Sequence, residues 1–224
     1  NWSQFLGPDG NPVVTGAKVP VEWSADKNIA WKVDLPGPGA SSPVVFGDKI
    51  FLTAYGDYGT MVFMDRRSRD NYTGNLGDQS ALKHFLICLD LNNGQMVWSK
   101  VIPVKNSRKE FGGPVTYHGY ASATPVVDDK HVYASFGPGG VFAYTHEGEK
   151  VWDADIGSGT HVWGTGSSPV LFKDKVLVNA CIESKKLIAL NKETGETAWQ
   201  CGGMDSTWST PALMEADGKT LAII

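Results

Sequence analysis

The sequence predicts an all-β fold: a β-propeller of four-stranded antiparallel blades, present as a partial ring of about half a seven- or eight-bladed propeller. Three observations predict it. One hairpin-like phrase occurs four times, as "SSPVVFGDKIFLTAYG" from Ser41, "SATPVVDDKHVYASFG" from Ser122, "SSPVLFKDKVLVNACI" from Ser167 and "STPALMEADGKTLAII" from Ser209. Its prolines, Pro43, Pro125, Pro169 and Pro211, stand 82, 44 and 42 residues apart, and a period in the forties with several short strands per unit is that of a propeller blade. The 224 residues also include 26 Gly, 12 Pro and eight Trp, so tight turns and large flat side chains are in unusual demand.

Taken in order, residues 1–40 form an N-terminal arm ending in a lone outer-strand phrase, "IAWKVDLPG", that carries Trp31. Residues 41–104 form a blade interrupted by an insertion over 56–84. Blades follow over 122–157 and 166–203, and 208–224 begin another; together 1–224 make one partial propeller domain. In the 166–203 unit the expected strands are Pro169–Phe172, Lys175–Ile182, Leu187–Asn191 and Thr197–Gln200, with turns at Lys173–Asp174 and Glu193–Gly195. Asn, Asp and Gly in those links supply the positive φ that hairpin turns need. Runs such as "KVLVNA" are alternating or continuously apolar, as strands are. The Ser/Thr-Pro entry suits a first strand crowded at the axis, where proline's missing donor is tolerated.

A second phrase closes each full unit: "CLDLNNGQMVW" to Trp98, "AYTHEGEKVW" to Trp152 and "ALNKETGETAW" to Trp199. Residues Ala189, Asn191, Thr194, Gly195 and Trp199, and Cys88, Asp90, Gly94 and Trp98, fit the pattern A-x-D-x-x-T-G-x-x-x-W, with Asn191 and Asn93 as departures. This phrase resembles the tryptophan-docking motif of the pyrroloquinoline-quinone (PQQ)-like propeller repeats. The resemblance covers essentially the whole chain. It implies that Trp31, Trp98, Trp152 and Trp199 wedge successive blades together.

Charge and apolar pattern narrow the functional classes. A formal net charge of −4 gives no basic field for nucleic acid, and no apolar run approaches the ~20 residues that span a bilayer. The chain starts at Asn1 rather than Met, which suggests a processed N-terminus. The three cysteines, Cys88, Cys181 and Cys201, read as buried free thiols.

In a propeller the links from second to third strand and from blade to blade emerge on one face. Here that face collects the insertion, with Arg66, Arg67 and Arg69, and the inter-blade links with Tyr117, His118 and Tyr120, with His161 and Trp163, and with Trp208. These residues are candidates for binding a partner or ligand. The plainer alternative is that they pack a crowded rim and that the arginines are simply solvated. No His/Cys/carboxylate spacing points to a metal.

The resemblance implies two functions of different class. The favoured one is a noncatalytic, exported scaffold that binds a protein or small ligand, like the periplasmic lipoprotein that assists outer-membrane barrel assembly, with no cofactor expected. The alternative is a PQQ- and calcium-dependent alcohol or sugar dehydrogenase. Those alcohol dehydrogenases typically carry a vicinal cysteine pair, and this sequence has none. Open sheet faces also predict self-association, or pairing with a missing second half of the ring.

Overall fold

The computed structural model describes residues 1–58, 79–104 and 120–224. It is a partial β-propeller of three four-stranded antiparallel blades followed by a hairpin of a fourth. The first blade consists of β1 (Val44–Phe46), β2 (Lys49–Gly56), β3 (Lys83–Asp90) and β4 (Met96–Ile102). The second consists of β5 (Val126–Val127), β6 (His131–Ser135), β7 (Val141–Thr145) and β8 (Lys150–Ala154). The third consists of β9 (Val170–Phe172), β10 (Lys175–Ala180), β11 (Lys186–Asn191) and β12 (Thr197–Gly202), and the hairpin of β13 (Ala212–Ala216) and β14 (Lys219–Ile223). Strands pair in sequence order within each blade.

Turn chemistry places these boundaries. Lys173, between β9 and β10, takes a φ of +54°, and Gly47, between β1 and β2, one of +60°. Asp90 and Asn191 each accept a hydrogen bond from a backbone N–H two residues on, at 2.7 and 2.9 Å, which bends the third-to-fourth-strand turn.

The cores lie between blades. Phe51, Leu86 and Cys88 of the first blade pack with Val132, Ala134 and Phe142 of the second. Tyr133, Val141 and Trp152 of the second pack with Val176, Val178 and Ile188 of the third. The fourth-strand tryptophans occupy equivalent positions: Cys88 pairs with Trp98, Ala143 with Trp152 and Ala189 with Trp199, each beside a bulge. Cys88 thus takes the small position that alanine fills in the other blades.

Trp98 and Trp152 reach the following blade. Trp98 Nε1 donates to His146 O at 2.9 Å, and Trp152 Nε1 to Lys192 O at 2.9 Å. Trp31 reaches the first blade in the same way, donating to Leu91 O at 3.0 Å. Under each ring lies a glycine with positive φ: Gly94 (+71°), Gly148 (+86°) and Gly195 (+75°). A Cβ there would sit 2.3, 3.0 and 2.7 Å from the indole of Trp31, Trp98 and Trp152 respectively. The turn therefore needs glycine twice, for its backbone angle and for its flatness. Trp199 keeps the same place in its sheet but is 43% exposed, and all of β12 is exposed with it.

Three expectations change. Trp31 lies outside any strand: residues 29–35 have no ladder partner among the described residues, and a strand needs a neighbour to satisfy its backbone. The expected strand Lys175–Ile182 ends at Ala180, and a single helical turn, Cys181–Ser184, follows. Asn179 Oδ1 accepts the Cys181 N–H at 3.0 Å, which turns the backbone out of the ladder. Finally, Cys88 and Cys181 are buried free thiols as expected, but Cys201 on β12 is exposed.

The hydroxyls of the repeated Ser/Thr-Pro entry form a belt around the axis. Ser42 N donates to Thr124 Oγ1 (2.9 Å), Thr124 N to Ser168 Oγ (3.0 Å) and Ser168 N to Thr210 Oγ1 (3.1 Å). Thr124, Ser168 and Thr210 thus each accept the amide of the counterpart one blade back. Because Thr124 and Ser168 are buried, Ser168→Ala leaves an amide without its acceptor. We expect a loss of about 1–2 kcal/mol, read as a lower urea midpoint with an unchanged slope.

Candidate functional site

The loop-bearing face is built from interlocking backbone turns. The helical turn Cys181–Ser184 ends at Lys185, which adopts the left-handed conformation (φ +59°). Gly157 and Gly159 press against it so closely that a Cβ on Gly159 would meet Ile182 O at 2.3 Å, and Gly159 N donates to Glu183 O at 2.9 Å. Lys185 Nζ donates to Ser206 Oγ at 2.7 Å, and Cys181 Sγ lies 3.8 Å from Met204 Sδ. The links 157–166 and 203–208 are therefore pinned to one turn of the third blade.

These links carry His161, Trp163 and Trp208. The His161 and Trp208 rings meet edge to face at 4.8 Å, and Trp208 Nε1 donates to Gly164 O at 3.0 Å. His161 Nδ1 accepts the Trp163 N–H at 3.2 Å. Trp163 is 62% and Trp208 37% exposed, so both indoles face solvent. Tyr120 departs from this group. It is buried with Tyr55 and Tyr58, its ring 5.3 and 5.6 Å from theirs, and belongs to packing. Arg66, Arg67, Tyr117 and His118 lie outside the described residues.

Beneath the rim, a small pocket of about 10 Å³, room for roughly one water molecule, is lined by Ser135, Thr165, Asn179, Glu183, Thr207 and Trp208, among others. Asn179 Nδ2 donates to Thr207 Oγ1 and to Ser209 O, both at 2.9 Å. Sequence reasoning missed Asn179 and Glu183. Asn179 stands in a stretch that reads as ordinary strand and Glu183 in the short link after it, and the helical turn Cys181–Ser184 carries Glu183 into the pocket lining. Burial, with the Glu183 carboxylate beside it, pushes the Cys181 thiol up. Burial likewise pushes Cys88 up to about 12 and, with Tyr120 beside it, Tyr55 to about 12. Such thiols are poor nucleophiles at neutral pH. Among the described residues no group of three or more His, Cys, Asp and Glu is placed to hold a metal ion, and no helix is long and apolar enough to cross a membrane.

The opposite face is a latch between blades. Lys192 Nζ lies 2.9 Å from Asp128 Oδ2, with the side chains 21% and 13% exposed. Asp128 Oδ1 accepts the His131 and Lys130 amides at 2.8 and 3.0 Å, and Tyr133 OH donates to Oδ2 at 3.2 Å. Burial raises the Asp128 carboxyl, but these donors outweigh it and hold the group below its ordinary value. His146 also serves here: its ring contacts Phe46 and Phe51, and its Nε2 lies 3.0 Å from Asp128 O.

Comparison with known proteins places this geometry. A family model described as outer membrane protein assembly factor BamB matches residues 75–201, more than half of the chain. No curated protein matches the chain by sequence. Among solved structures, BamB from Moraxella catarrhalis is 16% identical with a TM-score of 0.51, covering 87% of this chain and 46% of that one. The computationally designed Ika4 protein is 10% identical with a TM-score of 0.50, covering 87% and 90%. The quinohemoprotein alcohol dehydrogenase from Comamonas testosteroni is 15% identical with a TM-score of 0.49, covering 76% and 22%. The chain spans about half the length of the BamB structure it matches, and at these identities the structural likeness establishes the fold alone. Sequence and architecture agree on one assignment: the chain belongs to the outer membrane protein assembly factor BamB family.

Proposed function

We propose that the chain acts as a noncatalytic, extracytoplasmic scaffold that binds protein partners through its loop-bearing face, with no cofactor. One observation carries this reading: Trp163 and Trp208 are both exposed, on links whose backbone is tied to one another and to the third blade. Large rigid aromatics on a fixed frame lose little side-chain entropy on binding and are the residues that dominate protein interfaces. The family's description as an assembly factor for outer membrane proteins supports a protein partner and an exported location.

The test is capture of envelope proteins by the chain and by a Trp163→Ala/Trp208→Ala variant, with circular dichroism to confirm that both are folded. We expect the variant to lose at least about tenfold in affinity for a captured partner, the scale of one interface hot spot. Equal affinity would end this reading. On adding PQQ and calcium we expect neither stoichiometric quinone uptake nor dye-linked alcohol oxidation.

A further inference from the structure

The N-terminal arm closes one kind of strand edge on two blades and leaves it open on the next two. In each blade the first strand ends the sheet, so one of its edges has no strand partner. On β1, Trp2 and Val45 exchange both backbone hydrogen bonds, each 2.8 Å; on β5, Val127 N donates to Ser3 O at 2.9 Å. Two consecutive residues of the arm thus cover the edges of two consecutive blades. The arm then turns back: Leu6 and Gly7 have φ of +64° and +80°, and Gly7 N donates to Gln4 O at 3.0 Å.

The equivalent residues of the next two blades are Leu171 in β9 and Leu213 in β13, each the second residue after the entry proline. Hydrogen-bonded and open pairs alternate along an antiparallel ladder. Val45 stands one pair from the turn-closing Phe46–Lys49, and its amide points away from β2. Leu171 stands one pair from Phe172–Lys175, and Leu213 three from Ala216–Lys219, so their amides and carbonyls point outward as well. Among the described residues neither makes a backbone hydrogen bond across that edge. Both line a cavity of about 310 Å³ whose other walls include Phe5, Leu6 and Pro8 of the arm, and whose one charged lining residue is Asp9. No residue of the links that carry Trp163 and Trp208 lines it.

These features select the occupant. Open backbone edges call for a ligand with donors and acceptors along an extended chain, apolar walls call for apolar side chains, and a carboxylate with no cation beside it turns anions away. The arm is the precedent, a polypeptide laid across the same edge one blade earlier. We propose that this cavity takes an extended, uncharged, apolar segment of a protein partner, whose backbone hydrogen-bonds to Leu171 and Leu213 as Trp2 and Ser3 do to Val45 and Val127. It is a second site, independent of the rim. The chain is titrated with the peptide acetyl-Thr-Val-Thr-Val-Thr-amide while the backbone amide signals of Leu171 and Leu213 are followed by NMR. Parallel titrations use n-hexanol and the same peptide with Asp in place of Val.

The expected result is a saturable downfield shift of both amides with the Thr-Val peptide alone. Affinity should fall about tenfold in Leu213→Pro, the upper scale for one backbone hydrogen bond, because proline removes the donor at an edge position where it is tolerated. It should fall less in Leu213→Ala, which keeps the donor. No saturable shift, an equal shift with n-hexanol or the Asp peptide, or equal losses in the two variants overturns the proposal. Should Leu213→Pro not fold, the n-hexanol comparison decides. A chain that sediments as a dimer with both amides already protected from exchange also overturns it, since the occupant is then a second copy. Failure here with intact Trp163/Trp208-dependent capture leaves the scaffold reading standing, and loss of that capture with peptide binding intact rejects the scaffold reading and keeps the cavity.

Discussion

Trp152→Ala is expected to destabilise the protein by about 3–5 kcal/mol, the range for removing a buried tryptophan. The indole is 6% exposed, packs with Val176, Val178 and Ile188 of the next blade, and lies over Gly195. It also donates to Lys192 O at 2.9 Å, so truncation opens a cavity and strands a carbonyl together. Trp199→Ala is the internal control. That residue has the same register, opposite Ala189, but is 43% exposed, and about 1 kcal/mol or less is expected from so little buried area. Urea unfolding of the two variants beside the parent protein decides the matter. Similar losses at both positions would mean that the wedge between blades is not what the indole supplies.

The second large effect is expected from Asp128→Asn. The substitution keeps the size of the side chain and removes the charge opposite Lys192, leaving a half-buried ammonium facing an amide. We expect a loss of about 2–3 kcal/mol at pH 7, toward the lower end for breaking a buried pair because both side chains retain some solvent. The exposed pairs Lys49–Glu147 and Lys130–Glu193, at 3.8 and 3.1 Å, should contribute about 0–1 kcal/mol each. The sign of the pH dependence follows from the direction of the Asp128 shift. Its folded-state carboxyl titrates below the ordinary value, so the unfolded chain takes up the proton first as pH falls. The latch's contribution is full above the ordinary carboxylate range and disappears as pH drops through the lower folded value. Acid titration of stability should therefore fall less steeply below pH 5 in Asp128→Asn than in the parent protein. Parallel acid profiles would show that another group carries the effect.

Both effects lie at blade junctions, and the junctions were unequally legible in the sequence. The wedge could be read because the three indole-bearing phrases share one spacing from turn glycine to tryptophan, and that spacing places Trp98, Trp152 and Trp199 opposite Cys88, Ala143 and Ala189. The latch could not. Asp128 and Lys192 are 64 residues apart, and each on its own reads as an ordinary charged turn residue. The Ser/Thr-Pro entry was legible as a repeat but not as a belt, since a hydroxyl's partner in the next blade exists only once the blades stand side by side.

At the rim, Trp163 and Trp208 are exposed on the links between blades. Tyr120 is not, because its neighbour across the junction is the aromatic side of β2. Glu183 was hidden for a local reason. "VNACIESKK" has the composition of a strand running into a polar link, and one hydrogen bond from the Cys181 amide to Asn179 diverts the chain into a helical turn.

The sequence by itself determined the repeat, its four-strand unit, the turn at each hairpin and the tryptophan that ends each blade. These depend on backbone angles and on periodicities of two, which neighbouring residues set between themselves. Only the tertiary structure decided which charges pair and which aromatics are buried. Those outcomes depend on distances between segments some 40 to 80 residues apart, and no local preference encodes them.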